Sequence, residues 1–398
     1  MLSPMWSAHP RPIAPGLLAR FPASRSRASL AIVLIALTFG GCTPSSEDAE
    51  PRSGGTAVVA YSVDMLGIND LLHRRTAAQT GILLFGLYLP LLEEQGDHES
   101  GPPSFKPRLA ESYSFSDDHL TLTFKLRPGV TWSDGVPITA EDVRWTWQAQ
   151  TNPDVAWDYS VAKERIRDVE VVDPLTVRFH FDKVYAAQLL DANEGLILPK
   201  HAWSKLPFSE WRKNVVWFDQ NPVCSGAFML ESWQPQQRIV LKRNPRYFEP
   251  GLPKVDRLVI QIVPDASSQL ALLRSGKVQL DEVDPSDAAS VQADPALELL
   301  TYSPRQFVFI SWNLARPLFS DRRVREALTL GIDRRTIIDT LYYGFATLTA
   351  SPYATNSWVY NRDLAPLPYD PQRRARSSRK RAGATPTATA SSTRMASR

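Results

Sequence analysis

Lys106 to Val143 reads K-P-R-L-A-E-S-Y-S-F-S-D-D-H-L-T-L-T-F-K-L-R-P-G-V-T-W-S-D-G-V-P-I-T-A-E-D-V. Its middle alternates. Leu120, Leu122, Phe124 and Leu126 fall on one face, and Thr121, Thr123, Lys125 and Arg127 on the other. A period of two with one apolar face predicts a half-buried strand. Asp117-Asp118 before it and Pro128-Gly129 after it are turn chemistry. Thr139-Ala140-Glu141-Asp142 then predicts a helix start, because a threonine and an acid three residues later satisfy each other's backbone amides. Val143 and Trp147 are expected on the inner face of that helix.

Outward from this stretch, strands are expected at Thr56–Ser62, Val177–Phe181, Arg238–Leu241, Leu258–Val263 and Phe307–Trp312. Asp265 is expected to cap a helix carrying Leu270 and Leu273 and ending at Gly276. Asp321 should cap another, with Val324 and Leu328 inward. Asp333 should cap a third, with Ile337 and Leu341 inward and Gly344 as its stop. Strands and helices mix without strict alternation, so the class is mixed α/β with more than one lobe. A chain of 398 residues is long enough for two or three such cores.

The formal charge of +3 is an end effect. Arg11, Arg20, Arg25 and Arg27 precede residue 42 with no acid among them. Eight Lys and Arg follow Asp370, again with no acid. The body between is acidic, which argues against a nucleic-acid groove there. Arg25 and Arg27 lead into the apolar run Ala28 to Phe39, then Gly40, Gly41 and Cys42. This has the order of a secretory signal and is too short to span a bilayer. Small residues before a cysteine resemble a bacterial lipobox, which implies acylation of Cys42. The mature chain is then held on a membrane by its acyl chains. The alternatives are an ordinary secretory signal cleaved elsewhere, with Cys42 incidental, and a disulfide with Cys224, the one other cysteine.

Enzyme signatures are not found. His9, His73, His98, His119, His180 and His201 lack metal-ligand spacing, and His180 is expected to be solvated. There is no nucleophile elbow, P-loop or dinucleotide fingerprint. No catalytic residue, metal or cofactor is expected.

Four ordered blocks resemble the family 5 extracellular solute-binding proteins, the peptide- and nickel-binding receptors of ABC importers. They are the opening stretch; Asn221 to Gly226 with Arg243 to Tyr247; Leu270 to Val278; and Phe307 to Asp333. The resemblance runs from about Gly54 to Asp370. Cys224 stands where the family usually has Gly, and a side chain there is expected to crowd a tight turn. Ala227 replaces a usual Pro, and Leu89 a common acid.

The resemblance implies a periplasmic-binding-protein-like clamshell with an extra subdomain and an incomplete closing lobe. Residues 1–41 would be the leader and 42–54 a tether. Lobe I would use 55–80 and 165–265, lobe II 81–164, and a partial lobe III 266–371. Residues 372–398 would be a disordered basic tail. The implied ligand residues are Trp312 and Asn313, at the end of a strand facing the cleft, with Tyr88 and Ser225 as weaker candidates. The readings of Trp312 as core, and of Asn313 and Ser225 as turn residues, stay open; Trp132 is read as structural.

The implied function is binding a peptide-like solute and delivering it to ABC permease and ATPase subunits. It would act as a monomer, lipid-anchored in the periplasm or on the extracytoplasmic face. A nickel chelate, haem or oligosaccharide on the same scaffold, or a non-binding remnant, are the alternatives. After its Y-D-P the family continues with a helix ending in A-G-W, then D-T-D-G-D-G. With GC-rich codons read one base out of frame, Arg376 to Ser391 decodes as A-L-L-A-E-A-G-W-R-D-T-D-G-D-G-I. A frameshift, or a sequencing error, near Arg376 is therefore expected, visible on resequencing. It would remove most of lobe III, including the acid that takes a peptide's α-amino group.

Overall fold

A computed structural model describes residues 17–20, 53–73, 82, 86–97, 99–304 and 306–372. The lipobox cysteine Cys42, most of the expected leader and the tail after residue 372 lie outside the described residues.

Among the described residues, thirteen strands make three sheets. They are β1 (Leu17–Arg20), β2 (Thr56–Tyr61), β3 (Leu92–Glu94), β4 (Phe105–Pro107), β5 (Ala110–Phe115), β6 (Thr121–Leu126), β7 (Ile166–Asp173), β8 (Thr176–Phe181), β9 (Phe228–Gln234), β10 (Arg238–Arg243), β11 (Arg257–Ile262), β12 (Leu280–Glu282) and β13 (Glu298–Thr301). The main sheet runs β13-β1-β12-β2-β11-β10-β9, with β2 parallel to β11 and to β12. The second runs β5-β6-β8-β7, all antiparallel. β3 and β4 pair alone.

The opening stretch folds as its pattern requires. Leu122, Phe124 and Leu126 of β6 are buried while Lys125 is exposed. Helix α1 (Ala140–Thr151) starts at Thr139 with a capping box closed by Asp142. Asp142 also accepts the Lys200 amide at 3.0 Å. Burial raises its pKa above the usual carboxylate range, against the pull of those amides. The inner face is Val143, Trp145, Thr146 and Ala149; Trp147 is only half-buried.

β7 and β8 complete the sheet of β5 and β6. The Val177 and Phe179 side chains need the apolar face of β6 to bury against. β12 and β13 extend the main sheet. Leu17–Arg20, inside the expected leader, forms a strand of that sheet.

One core joins the two larger sheets. Its densest part is aromatic: Trp203, Trp211 and Phe218 are fully buried, and Trp203 lies 4.8 Å and Trp211 4.9 Å from the Phe218 ring centre. A smaller core under β12 and β13 holds Leu273, Val283 and Val291.

Helix α2 (Gln188–Asn193) is closed by a buried amine. Lys163 donates from Nζ to the carbonyls of Asp191 at 2.5 Å and Ala192 at 3.3 Å. Burial pushes its pKa down to about 7. The unfolded chain keeps that proton to the ordinary lysine range, so between pH 7 and 9 the unfolded state binds more protons. Stability should therefore rise with pH across this window, with a slope approaching about 1.4 kcal/mol per pH unit from this group. Urea unfolding at several pH values checks it: Lys163→Met should lack the slope.

Helix α3 (Ala266–Arg274) is capped by Asp265, which accepts the Ser268 amide at 2.8 Å, and it buries Leu270 and Leu273. The last segments depart further from expectation. Phe307–Trp312 is not a strand. It has no ladder bonds among the described residues, and Val308, Phe309 and Ile310 are exposed. Apolar alternation makes a strand only when a neighbour supplies the other half of the ladder. Helix α4 (Arg322–Leu330) starts at Asp321 but buries Ala327 and Leu330, with Val324 and Leu328 at the margin. Helix α5 (Arg334–Leu341) buries Ile338, while Ile337 and Leu341 face out. Gly344 ends it in the left-handed region, its amide on the Ile338 carbonyl.

Candidate functional site

Three segments cross beside the aromatic core. The amides of Ser225 and Gly226 both donate to the Leu87 carbonyl, at 3.0 and 2.9 Å. The Leu89 amide donates to Ser225 Oγ at 2.9 Å. Asn193 clamps Leu92, accepting its amide at 2.8 Å and donating to its carbonyl at 3.0 Å. At Gly226 the approach is so close that a Cβ would sit 2.3 Å from the Gly86 carbonyl oxygen.

This crossing walls a cavity of about 280 Å³, with Glu93, Glu94, Arg108, Asn193, Glu194 and Tyr247 on its lining. Arg108 organises it. Its Nε lies 2.5 Å from Glu93 Oε2, an ion pair too oblique for a hydrogen bond, and its Nη1 donates to Glu249 Oε2 at 3.0 Å. Tyr247 donates its hydroxyl to the same Glu249 oxygen at 3.0 Å. Burial, helped by Glu249 and Glu93, pushes the Tyr247 pKa up to about 12 against the opposing charge of Arg108. The phenol therefore stays a donor across ordinary pH. Fixed carboxylates and a guanidinium give this wall the means to orient a small polar group without covalent chemistry.

The residues expected to bind ligand do not converge. Tyr88 is 1% exposed, its ring edge-on to Trp203 with centres 6.0 Å apart. It packs in the core and also lines the cavity, and its hydroxyl has no hydrogen-bond partner. Ser225 is buried and spends its Oγ on the Leu89 amide, so it is a turn residue. Trp312 is half-buried with its ring 5.3 Å from Phe319. Asn313 is exposed and accepts the Ala315 amide at 3.1 Å, closing its own turn. Arg108 and Glu93 were not singled out from the sequence. The available signal was an arginine inside an otherwise apolar and turn-forming block.

Cys224 does not crowd a turn. Its φ is not positive, its side chain is 1% exposed in the core, and its amide donates to Ser133 Oγ at 3.0 Å. Burial raises the thiol pKa to about 12. His180 is not free in solvent: Nε2 lies 2.9 Å from Glu170 and Nδ1 3.2 Å from Thr121.

Residues 104–393 match the family described as bacterial extracellular solute-binding proteins, family 5 Middle. Similar proteins include the oligopeptide-binding protein AppA of Bacillus subtilis, 27% identical over 344 residues. That match takes in 84% of this chain and 61% of AppA. Heme-binding protein A of Haemophilus influenzae is 28% identical over 383 residues, covering 87% of this chain and 67% of that protein. The solved structure of B. subtilis AppA with a nonapeptide superposes with a TM-score of 0.75 at 27% identity, over 83% of this chain and 65% of that one. NikZ of Campylobacter jejuni, solved with Ni(L-His), gives 0.68 at 26% identity, over 82% and 63%. The chain thus spans about three fifths of AppA's length. On the family match across most of its length, the chain belongs to the bacterial extracellular solute-binding proteins of family 5.

Proposed function

We propose that this chain is a receptor for a peptide-like solute that passes its ligand to ABC permease and ATPase subunits. The observation that carries the reading is the family match from residue 104 to 393, in a chain whose fold superposes on a nonapeptide-bound receptor. Binding and release follow from differential affinity of two lobe arrangements, with no bond made or broken. The receptor is a monomer on the extracytoplasmic side, tethered through an acylated Cys42. Labelled palmitate should enter the chain in cells and be lost in Cys42→Ser.

Calorimetric titration of the full chain with defined peptide mixtures tests the binding. Saturable heat is the expected result. Flat titrations would leave the remnant reading in its place. A second ligand class has support in the NikZ and haem-binding relatives. Heat with nickel–histidine or haem, and none with peptides, would transfer the reading to that class.

A further inference from the structure

A strap of chain, residues 191–198, leaves the end of α2 and runs past the cavity. Asn193, Glu194 and Gly195 of this strap are on the cavity lining. Neutral ties hold most of it. Asn193 accepts the Leu92 amide and donates to the Leu92 carbonyl. Gln150 of α1 donates to the Glu194 carbonyl at 3.2 Å. The Ile197 amide donates to the Leu89 carbonyl at 3.2 Å, and the Leu198 amide to Thr146 Oγ1 at 2.9 Å.

To these Lys163 adds an ionisable tie. It ends the turn Ser160–Lys163 and is 2% exposed. Its Nζ donates to the carbonyls of Asp191 and Ala192, in the last turn of α2, where carbonyls have no partner inside the helix. Burial lowers the Lys163 pKa to about 7, against the pull of Glu194 and Asp191, the charges that act on it. Tyr185, close to Asp191, stays a neutral phenol, since burial and that carboxylate raise its pKa. Helix α1 packs against the same turn and meets the strap with Gln150, which carries no charge.

We propose that Lys163 is a positioning residue for the cavity: its amine pins the end of α2, and through that turn it holds Asn193 on Leu92 and Glu194 on the cavity wall. Lifting the strap exposes the amine to water, where it holds a proton up to about pH 10. Opening is therefore favoured as pH falls toward 7, and stops changing below 7, where the closed form is protonated as well. The wall is firmest on the alkaline side. None of this needs a ligand, so the inference does not rest on the receptor reading.

Native-state hydrogen exchange on the full chain tests it, read at the Leu92, Ile197 and Leu198 amides in low urea. Urea separates two routes, because local opening exposes little surface and global unfolding much. After correction for the intrinsic rate, protection at these amides should rise about eightfold from about pH 7.5 to 8.5, with little dependence on urea. In Lys163→Met, which keeps an apolar stem and takes up no proton, the rise should be absent. A flat profile in the wild type overturns the proposal with no variant needed. An equal rise in Lys163→Met overturns it too, since another group is then titrating. So does a rise confined to the urea-dependent route, because the amine then reports global unfolding and not the strap.

Discussion

Trp211→Ala is expected to lower the unfolding free energy by about 3–5 kcal/mol, the range for deleting a buried tryptophan. Trp211 is fully buried at the centre of an aromatic cluster, with ring centres 4.9 Å from Phe218, 5.1 Å from Phe208 and 5.7 Å from Trp145. Those neighbours sit edge-to-face, which adds to the area term. The indole also donates from Nε1 to the Leu206 carbonyl at 3.0 Å. Alanine would leave a void and an unpaired carbonyl together. Rigid rings on several sides cannot collapse into the space, so the cost falls toward the upper end. Urea unfolding followed by near-ultraviolet dichroism measures it. Trp217, half-buried beside the same Phe218 ring, is the control and should cost clearly less on truncation.

Gly226→Ala is the second large effect, and its cause is different. No positive φ is involved. The obstacle is a backbone: the new methyl would meet the Gly86 oxygen at 2.3 Å and the Leu87 carbonyl carbon at 2.8 Å. A side chain could swing aside, but two crossing main chains cannot. Their separation would break the Ser225 and Gly226 bonds to Leu87 and disturb the Gly226 carbonyl, which accepts from buried Asn244 at 2.9 Å. A loss of about 3 kcal/mol or more is expected, at or beyond the top of the overpacking range. The same unfolding measurement reads it. A variant as stable as the wild type would show that the crossing has slack that the geometry denies.

Much of this was legible from residue patterns. The Leu122–Phe124–Leu126 alternation, the Thr139–Asp142 box and the Asp265 cap each rest on interactions within a few residues, and each appears as expected. What failed depends on distant partners. No local rule says that β7 pairs with β8 and then with β6, or that β12 and β13 join β2 through β1. Phe307–Trp312 has strand chemistry, but a ladder is a property of two segments. Ile337 and Ile338 are neighbours of equal hydrophobicity; only packing decided that Ile338 turns inward. The site was least legible. Tyr88 and Ser225 lie at the crossing, both buried, Tyr88 on the cavity lining and Ser225 holding the Leu89 amide. The cavity's charged wall depends on Arg108 meeting Glu93 from the preceding strand and Glu249 from far along the chain.

The parallel pairing of β2 with β11 has a kinetic meaning. Thr56 meets Arg257, and every other pair in that ladder has the same long separation. That ladder closes a loop of about two hundred residues, a non-local pairing that is slow to form. The β5-β6-β8-β7 sheet suffers no such delay, since its last strand ends at Phe181. On folding, the inserted subdomain can condense first, while the strand that opens the main sheet waits. The order of assembly is thus inverted relative to the order of the chain.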